Sequence, residues 1–202
     1  LACSHCYAAC HGPQTELTTD QALAVIDDLA AFKVPVILFS GGEPFVREDI
    51  FTLAAHAVQK GVRVVFSTNG TLIDDARAEE IKKIGVSYVG ISIDGTEQVH
   101  DAFRRHPGAY RLSLAAIRRL QKRGVKVGLR VTMTRDNVAS IPAVFKLMRD
   151  ERIPRICLYH LVYAGRGAEI AAHDLSHAEA RAALGTIIAE TGACFKAGFP
   201  VE

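Results

Sequence analysis

An α/β fold built on a parallel sheet is the class this sequence predicts, and three observations predict it. Five short apolar runs rich in β-branched residues recur along 202 residues. A helical pattern separates each run from the next. Several runs are apolar nearly throughout, as suits strands covered on both faces.

The runs fall at residues 34–39, 62–66, 86–93, 125–131 and 156–161. Between them, helix ends are readable. Thr18 with Gln21, and Ser176 with Glu179, have capping-box spacing. Leu23, Ile26 and Leu29 share one helical face, as do Ile50, Leu53, Ala57 and Val58. Gly61, Gly85, Gly124 and Gly192 read as helix stops. Asn137 or Ser140 starts the helix carrying Val144, Leu147 and Met148, and the last helix, residues 176–190, has no strand run after it. Strand–helix alternation implies right-handed crossovers. Five units fit an open doubly wound sheet or part of a barrel, since a complete eightfold barrel takes about 250 residues. The partial barrel is the preferred expectation. No linker or low-complexity stretch divides residues 1–202, so they read as one domain.

Composition narrows the function classes. The chain is 49% hydrophobic and 23% charged, with a net charge of +2. That balance is ordinary for a globular protein and gives no basic field for nucleic acid or a membrane surface. No apolar run approaches the roughly 20 residues of a spanning helix. No secretory leader precedes Cys3 in this sequence, so the expected compartment is the cytoplasm. The cysteines are Cys3, Cys6, Cys10, Cys157 and Cys194, three of them within the first ten residues. An odd, clustered set reads as metal or redox chemistry in a reducing compartment.

In parallel α/β folds ligands bind at the carboxyl ends of the strands. Here those ends carry Ser40-Gly41-Gly42-Glu43-Pro44, Ser67-Thr68-Asn69-Gly70, Ser92-Ile93-Asp94-Gly95, then Arg130, Thr132 and Thr134, then Tyr159 and His160. Any one of these turns has a bland reading as turn chemistry. Five converging on one rim favour a small-molecule site. Glu43 suits an ammonium group, Ser92 and Asp94 suit sugar hydroxyls, and Arg130 suits a carboxylate. An amino acid joined to a nucleoside would use all three. Neither a P-loop nor a G-x-G-x-x-G motif occurs.

Cys3-Ser4-His5-Cys6 is a C-x-x-C pair, which alone leaves zinc, a thiol redox pair and an iron–sulfur ligand set open. Residues 1–7 resemble the latter part of the radical SAM motif C-x-x-x-C-x-x-C-aromatic. The resemblance makes Cys3 and Cys6 the second and third cluster ligands and expects the first upstream of Leu1. Cys10 has the wrong spacing for that ligand and reads as a spare thiol. Gly41-Gly42-Glu43-Pro44 is similar to the family's GGEP element, which implies that Gly41, Gly42 and Glu43 meet the amino group of S-adenosylmethionine (SAM). Ser67 and Asn69 match its STNG turn, Ser92 and Asp94 its ribose-contacting strand end, and Arg130 a position reaching the SAM carboxylate.

The family resemblance implies a partial (β/α)6 TIM-like barrel of parallel strands, truncated here at both ends. Its first strand and a C-terminal SPASM-type domain with a second cluster would lie outside the chain. It also implies a [4Fe–4S] cluster and SAM as cofactors, generating a 5′-deoxyadenosyl radical, with an external electron donor of flavodoxin or ferredoxin type. Residues 40–50, 101–110 and 159–167 look closest to the branch of the family in heme d1 biosynthesis. That branch implies a tetrapyrrole substrate, 12,18-didecarboxysiroheme, losing two propionate side chains. Arg104, Arg105, His106 and Arg166 are candidates for its carboxylates, with a solvated helix end as the alternative for Arg104 and Arg105. His160 reads as a structural histidine or a heme ligand, and His5 as a tuner of the cluster. His11, His56, His100, His173 and His177 show no pattern, and Cys157 reads as a buried inert thiol. The 202-residue chain alone is expected to be inactive for want of one ligand. Alternatives are a radical SAM peptide maturase of the pyrroloquinoline-quinone type and a non-enzymatic metal- or redox-binding α/β domain.

Overall fold

Strand propensity and helix caps together produce five βα-type units. The structure, a computed structural model, describes residues 1–10 and 16–202. His11 and the side chain of Cys10 fall outside what it describes. The strands are β1 (Val36–Phe39), β2 (Arg63–Thr68), β3 (Tyr88–Ser92), β4 (Val127–Thr132) and β5 (Ile156–Tyr159). The helices are α1 (Thr19–Ala31), α2 (Ile50–Gln59), α3 (Asp75–Ile84), α4 (Glu97–Arg104), α5 (Ala109–Lys122), α6 (Ile141–Asp150), α7 (Arg166–Glu169) and α8 (His177–Lys196).

Both predicted capping boxes form. The Thr18 hydroxyl accepts from the Gln21 N–H while the Gln21 side chain accepts from the Thr18 N–H, and Ser176 and Glu179 do the same for α8. Gly85 holds the left-handed C-cap of α3, and Gly61 and Gly124 follow α2 and α5. Gly192 does not stop its helix: α8 runs on to Lys196, with Cys194 buried against the core. Neither Asn137 nor Ser140 caps α6 through its side chain. Asn137 instead accepts from the Thr134 N–H and donates to the Thr132 carbonyl, closing the loop after β4.

The strands pair in sequence order, β1-β2-β3-β4-β5, and every pairing is parallel. A doubly wound sheet reverses strand order midway and carries helices on both faces. Sequential order with right-handed crossovers puts the helices on one face and leaves the other as the inner wall of an open barrel arc. Alternation along the strands follows. Val64, Phe66, Val89, Ile91, Leu129 and Val131 are buried toward Leu53, Ile81, Ile117, Leu120, Val144, Phe145 and Met148 of the helices. The Phe66 ring lies 5.6 Å from Phe39 and 4.9 Å from Phe45, binding the first two strands to the turn after β1. The last residues add a pairing beside β5. The Glu202 N–H donates to the Pro154 carbonyl and the Glu202 carbonyl accepts from the Ile156 N–H, a parallel pairing pattern.

The inner wall is filled from above two glycines. Gly90 pairs with Gly128, and the Arg130 shaft and the Tyr88 ring lie over them. A Cβ at Gly90 would sit 2.8 Å from Arg130 Cδ. One at Gly128 would collide with the Tyr88 hydroxyl and stand 3.0 Å from the Arg155 carbonyl oxygen, which backbone pairing holds in place. Gly128→Ala should therefore cost about 1–3 kcal/mol through overpacking, read as a lower urea midpoint at unchanged m-value. An unshifted midpoint would show that the inner wall has slack at this layer.

Candidate functional site

One cleft of about 1370 Å³ opens at the carboxyl ends of the strands. Cys3, Cys6, Gly41, Gly42, Glu43, Ser67, Asn69, Ser92 and Arg130 all line it. Tyr7, Thr68, Thr132, Tyr159 and His160 line it as well. The N-terminal thiols and the strand-end turns, separate in sequence, thus line one cleft.

Gly41 has φ of +114°, which side-chain-bearing residues rarely adopt, and a Cβ at Gly41 or Gly42 would meet no atom within 4 Å. Bare backbone therefore faces the cleft. The Glu43 carboxylate accepts from Thr68 Oγ1 at 2.6 Å, the Asn69 N–H at 2.9 Å and the Phe45 N–H at 3.3 Å. It locks the end of β1 to the end of β2. Burial pushes its pKa above the ordinary carboxylate value, and these three donors oppose that rise. The Asn69 side chain folds back on its own turn, accepting from the Thr71 N–H and hydroxyl. The Arg130 guanidinium lies 4.8 Å from the centre of the Tyr159 ring and forms no ion pair among the described residues.

Asp94 stands apart. It is absent from the cleft lining and 1% exposed. Its carboxylate accepts from Arg104 Nε and Nη2 at 2.6 Å and from the Thr132 N–H at 3.1 Å. The ribose contact that resemblance gives Asp94 finds no free oxygen facing the cleft. Arg104 is correspondingly no solvated helix end: it is 8% exposed, and its Nη1 donates to Cys3 Sγ at 3.7 Å. Of the other basic candidates, Arg105 and His106 line a separate open depression with Glu97 and Asp101. Arg166 binds the cysteine segment, donating from Nε to the Cys3 carbonyl at 2.7 Å and from its N–H to the Cys6 carbonyl at 3.0 Å. A Cβ on the neighbouring Gly165 would fall 2.5 Å from the Cys6 carbonyl oxygen, so only glycine permits this approach.

The cysteine turn is also pinned to the end of α4. The Phe103 carbonyl, which the helix leaves unpaired, accepts from the Ser4 N–H at 3.1 Å and the Ser4 hydroxyl at 3.0 Å. The His5 ring stacks on Phe103 at 4.3 Å. Burial, with the nearby Arg104 charge, lowers the His5 pKa to about 4, and its Nδ1 is buried without a partner among the described residues. His100, which showed no pattern in the sequence, is 1% exposed and accepts from the Asp94 N–H at Nδ1. His160, by contrast, is exposed at the cleft edge, and Cys157 is half-buried rather than enclosed.

Cys3 and Cys6 are both free thiols, Cys3 buried and Cys6 half-buried. Two free thiols lining one cleft, with an orphaned imidazole nitrogen between them in sequence, fit a sulfur-ligated iron cluster. A structural zinc site wants four ligands, and no group of three or more His, Cys, Asp or Glu side chains assembles among the described residues. No described helix is long and apolar enough to cross a membrane.

This is a singly wound α/β arc that gathers thiols and a glycine-rich turn at one rim. Residues 1–148 match the family model of the radical SAM superfamily, and the chain belongs to that superfamily. It is 50% identical to the Fe-coproporphyrin III synthase of Methanosarcina barkeri over 100% of the chain and 51% of that protein. It is 44% identical to the pre-heme d1 synthase of Dinoroseobacter shibae over 94% of the chain and 47% of that protein. The chain thus spans about half the length of these relatives. In fold it is similar to native anSMEcpe with bound AdoMet, at a TM-score of 0.81 and 17% identity, covering 100% of this chain and 59% of that one.

The buried imidazole of His100 makes stability acid-sensitive. Burial lowers its pKa from 6.5 to about 4, so below pH 6.5 the unfolded chain binds a proton that the folded chain refuses. Stability is full above pH 6.5 and is lost as pH falls toward 4, by up to about 1.4 kcal/mol per unit. His100→Asn keeps an acceptor for the Asp94 N–H and removes the titration. Urea unfolding at pH 7 and pH 5 should show a smaller loss in the variant, and equal losses would rule His100 out as the source.

Proposed function

We propose that this chain is the core domain of a radical SAM enzyme, binding a [4Fe–4S] cluster through Cys3 and Cys6 and SAM along the strand-end turns. The observation that carries the reading is that both thiols line the same cleft as Gly41, Gly42, Glu43, Ser67, Asn69, Ser92 and Arg130. When bound, the reduced cluster and SAM supply a 5′-deoxyadenosyl radical for hydrogen abstraction.

The chain's own residues bind and orient. A carboxylate offers about four acceptor positions. Three at Glu43 are taken by Thr68, Asn69 and Phe45, and the one left over suits the SAM ammonium. Exposed backbone at Gly41 and Gly42 lets that group approach closely. Arg130, stacked on Tyr159 and without an acidic partner among the described residues, suits the SAM carboxylate. Ser92 is left to meet the ribose, because Asp94 is engaged by Arg104. A cleft of about 1370 Å³ exceeds the usual 300–1,000 Å³ of small-ligand pockets, leaving room for a large co-substrate.

That co-substrate is a modified tetrapyrrole, and the reaction is removal of propionate side chains from 12,18-didecarboxysiroheme in heme d1 biosynthesis. The 44% identity to a pre-heme d1 synthase supports it. A second reading, formation of Fe-coproporphyrin III, is favoured by the 50% identity to a synthase of that name over the whole chain. An electron donor of flavodoxin or ferredoxin type and a cytoplasmic location belong to both readings.

Three measurements on the full-length protein, prepared anaerobically, test the proposal. Reduction with SAM should release 5′-deoxyadenosine, and product mass with the tetrapyrrole separates the two readings; a loaded cluster with no 5′-deoxyadenosine would remove the enzyme. Cys6→Ala should abolish the cluster's visible absorbance, and an intact spectrum would place the ligand elsewhere. Arg130→Met should weaken SAM binding by roughly 10- to 100-fold, the worth of a charged hydrogen bond. Unchanged affinity would assign the carboxylate to another group.

A further inference from the structure

Arg104 is the unexplained charge of this site. It is buried at the end of α4, and one face of its guanidinium is spent on Asp94. Asp94 is itself fixed at the end of β3 by the Thr132 N–H, and the backbone N–H of Asp94 donates to His100. The guanidinium therefore cannot swing. Its remaining nitrogen, Nη1, points at Cys3 Sγ, 3.7 Å away. The adjacent Phe103 carbonyl holds Ser4, and Arg166 holds the Cys3 carbonyl. Cys3 is thus held at its carbonyl by Arg166, through its neighbour Ser4 by the Phe103 carbonyl, and at its sulfur by a buried cation.

Such a fork is specific to arginine. Five donors in one rigid plane can hold a carboxylate on one edge and a sulfur on another, which a lysine ammonium on a flexible stem cannot do. Burial matters equally, because charges in a water-poor setting are weakly screened. A cation and an N–H···S bond at a ligand sulfur both favour the more negative, reduced form of an iron–sulfur cluster. A carboxylate behind that cation acts in the opposite sense.

We infer that Arg104 is a positioning residue for the cluster that also raises its reduction potential, and that Asp94 both anchors Arg104 and offsets its charge. The inference rests on the proposed [4Fe–4S] reading of Cys3 and Cys6, and it gives the pair opposite effects. A purely structural ion pair would not do so, since breaking it from either side would perturb the cluster in the same way.

The test is a redox titration followed by electron paramagnetic resonance on the anaerobic full-length protein, with iron and sulfide counted in each sample. At the wild-type midpoint, Arg104→Met should lower the reduced-to-oxidised ratio about tenfold, equivalent to 59 mV for a one-electron couple. Asp94→Asn should raise the ratio, because the cation loses its counterweight while the Thr132 contact survives. Arg104→Lys, which keeps the charge and loses the fork, should fall between Arg104→Met and wild type. If Arg104→Met fails to fold or to hold iron, Arg104→Lys below wild type and Asp94→Asn above it support the inference equally. Shifts of the same sign in the Asp94 and Arg104 variants, or no shift with full iron content, would overturn the inference. A wild-type protein that binds no cluster would instead overturn the parent reading.

Discussion

Five parallel strands hydrogen-bonded in chain order leave the molecule little choice about where a ligand can sit. Each right-handed crossover lands on the same face, so that face is sealed by helices and the other stays open. The strands' carboxyl ends then project their turns to one rim. Polar residues there cost nothing in core burial, because Val64, Phe66, Val89, Ile91, Leu129 and Val131 already satisfy the helix side. The inner wall is polar and aromatic instead, with Tyr88 and Arg130 laid across Gly90 and Gly128.

The N-terminal cysteines are brought to that rim by contacts rather than by the sheet itself. Ser4 takes the unpaired Phe103 carbonyl, His5 stacks on Phe103, and Arg166 takes both cysteine carbonyls. Each is a side-chain or backbone contact worth on the order of 1 kcal/mol. The buried Asp94–Arg104 pair is different in kind. Removing one partner strands a charge in the interior and costs roughly 3–5 kcal/mol, whereas the intact pair is near break-even. A pair retained on those terms, with its spare donor on a cysteine sulfur, points to chemistry rather than stability.

The sequence made legible what is encoded locally. The Thr18–Gln21 and Ser176–Glu179 boxes lie three residues apart and form as expected. The five strands were readable because β-branched and apolar residues crowd each run, although burial alternates along β2 and the expected cover on both faces is missing from β1 and β5. Periodicity alone left the winding open, since it says nothing about which strand neighbours which, and the partial barrel was implied by the resemblance of the turn motifs. Arg104 read as a candidate for substrate carboxylates or a solvated helix end, and neither reading found Asp94, which belongs to a strand turn ten residues earlier. Arg166 looked like a free rim cation, although flanking Gly165 and Gly167 were a sign that backbone passes close by. Gly192 looked like a stop, but tertiary packing of Cys194 carries α8 past it.

The central claim is that the thiols at the chain's start and the glycine turn after β1 serve a single bound assembly. The most direct measurement is electron–nuclear double resonance on the reduced full-length protein with SAM labelled with 15N at the amino group. A 15N hyperfine coupling to the cluster's unpaired spin is the expected result. Saturating SAM with a reduced cluster and no such coupling would mean that the two sites are separate, and would contradict that claim.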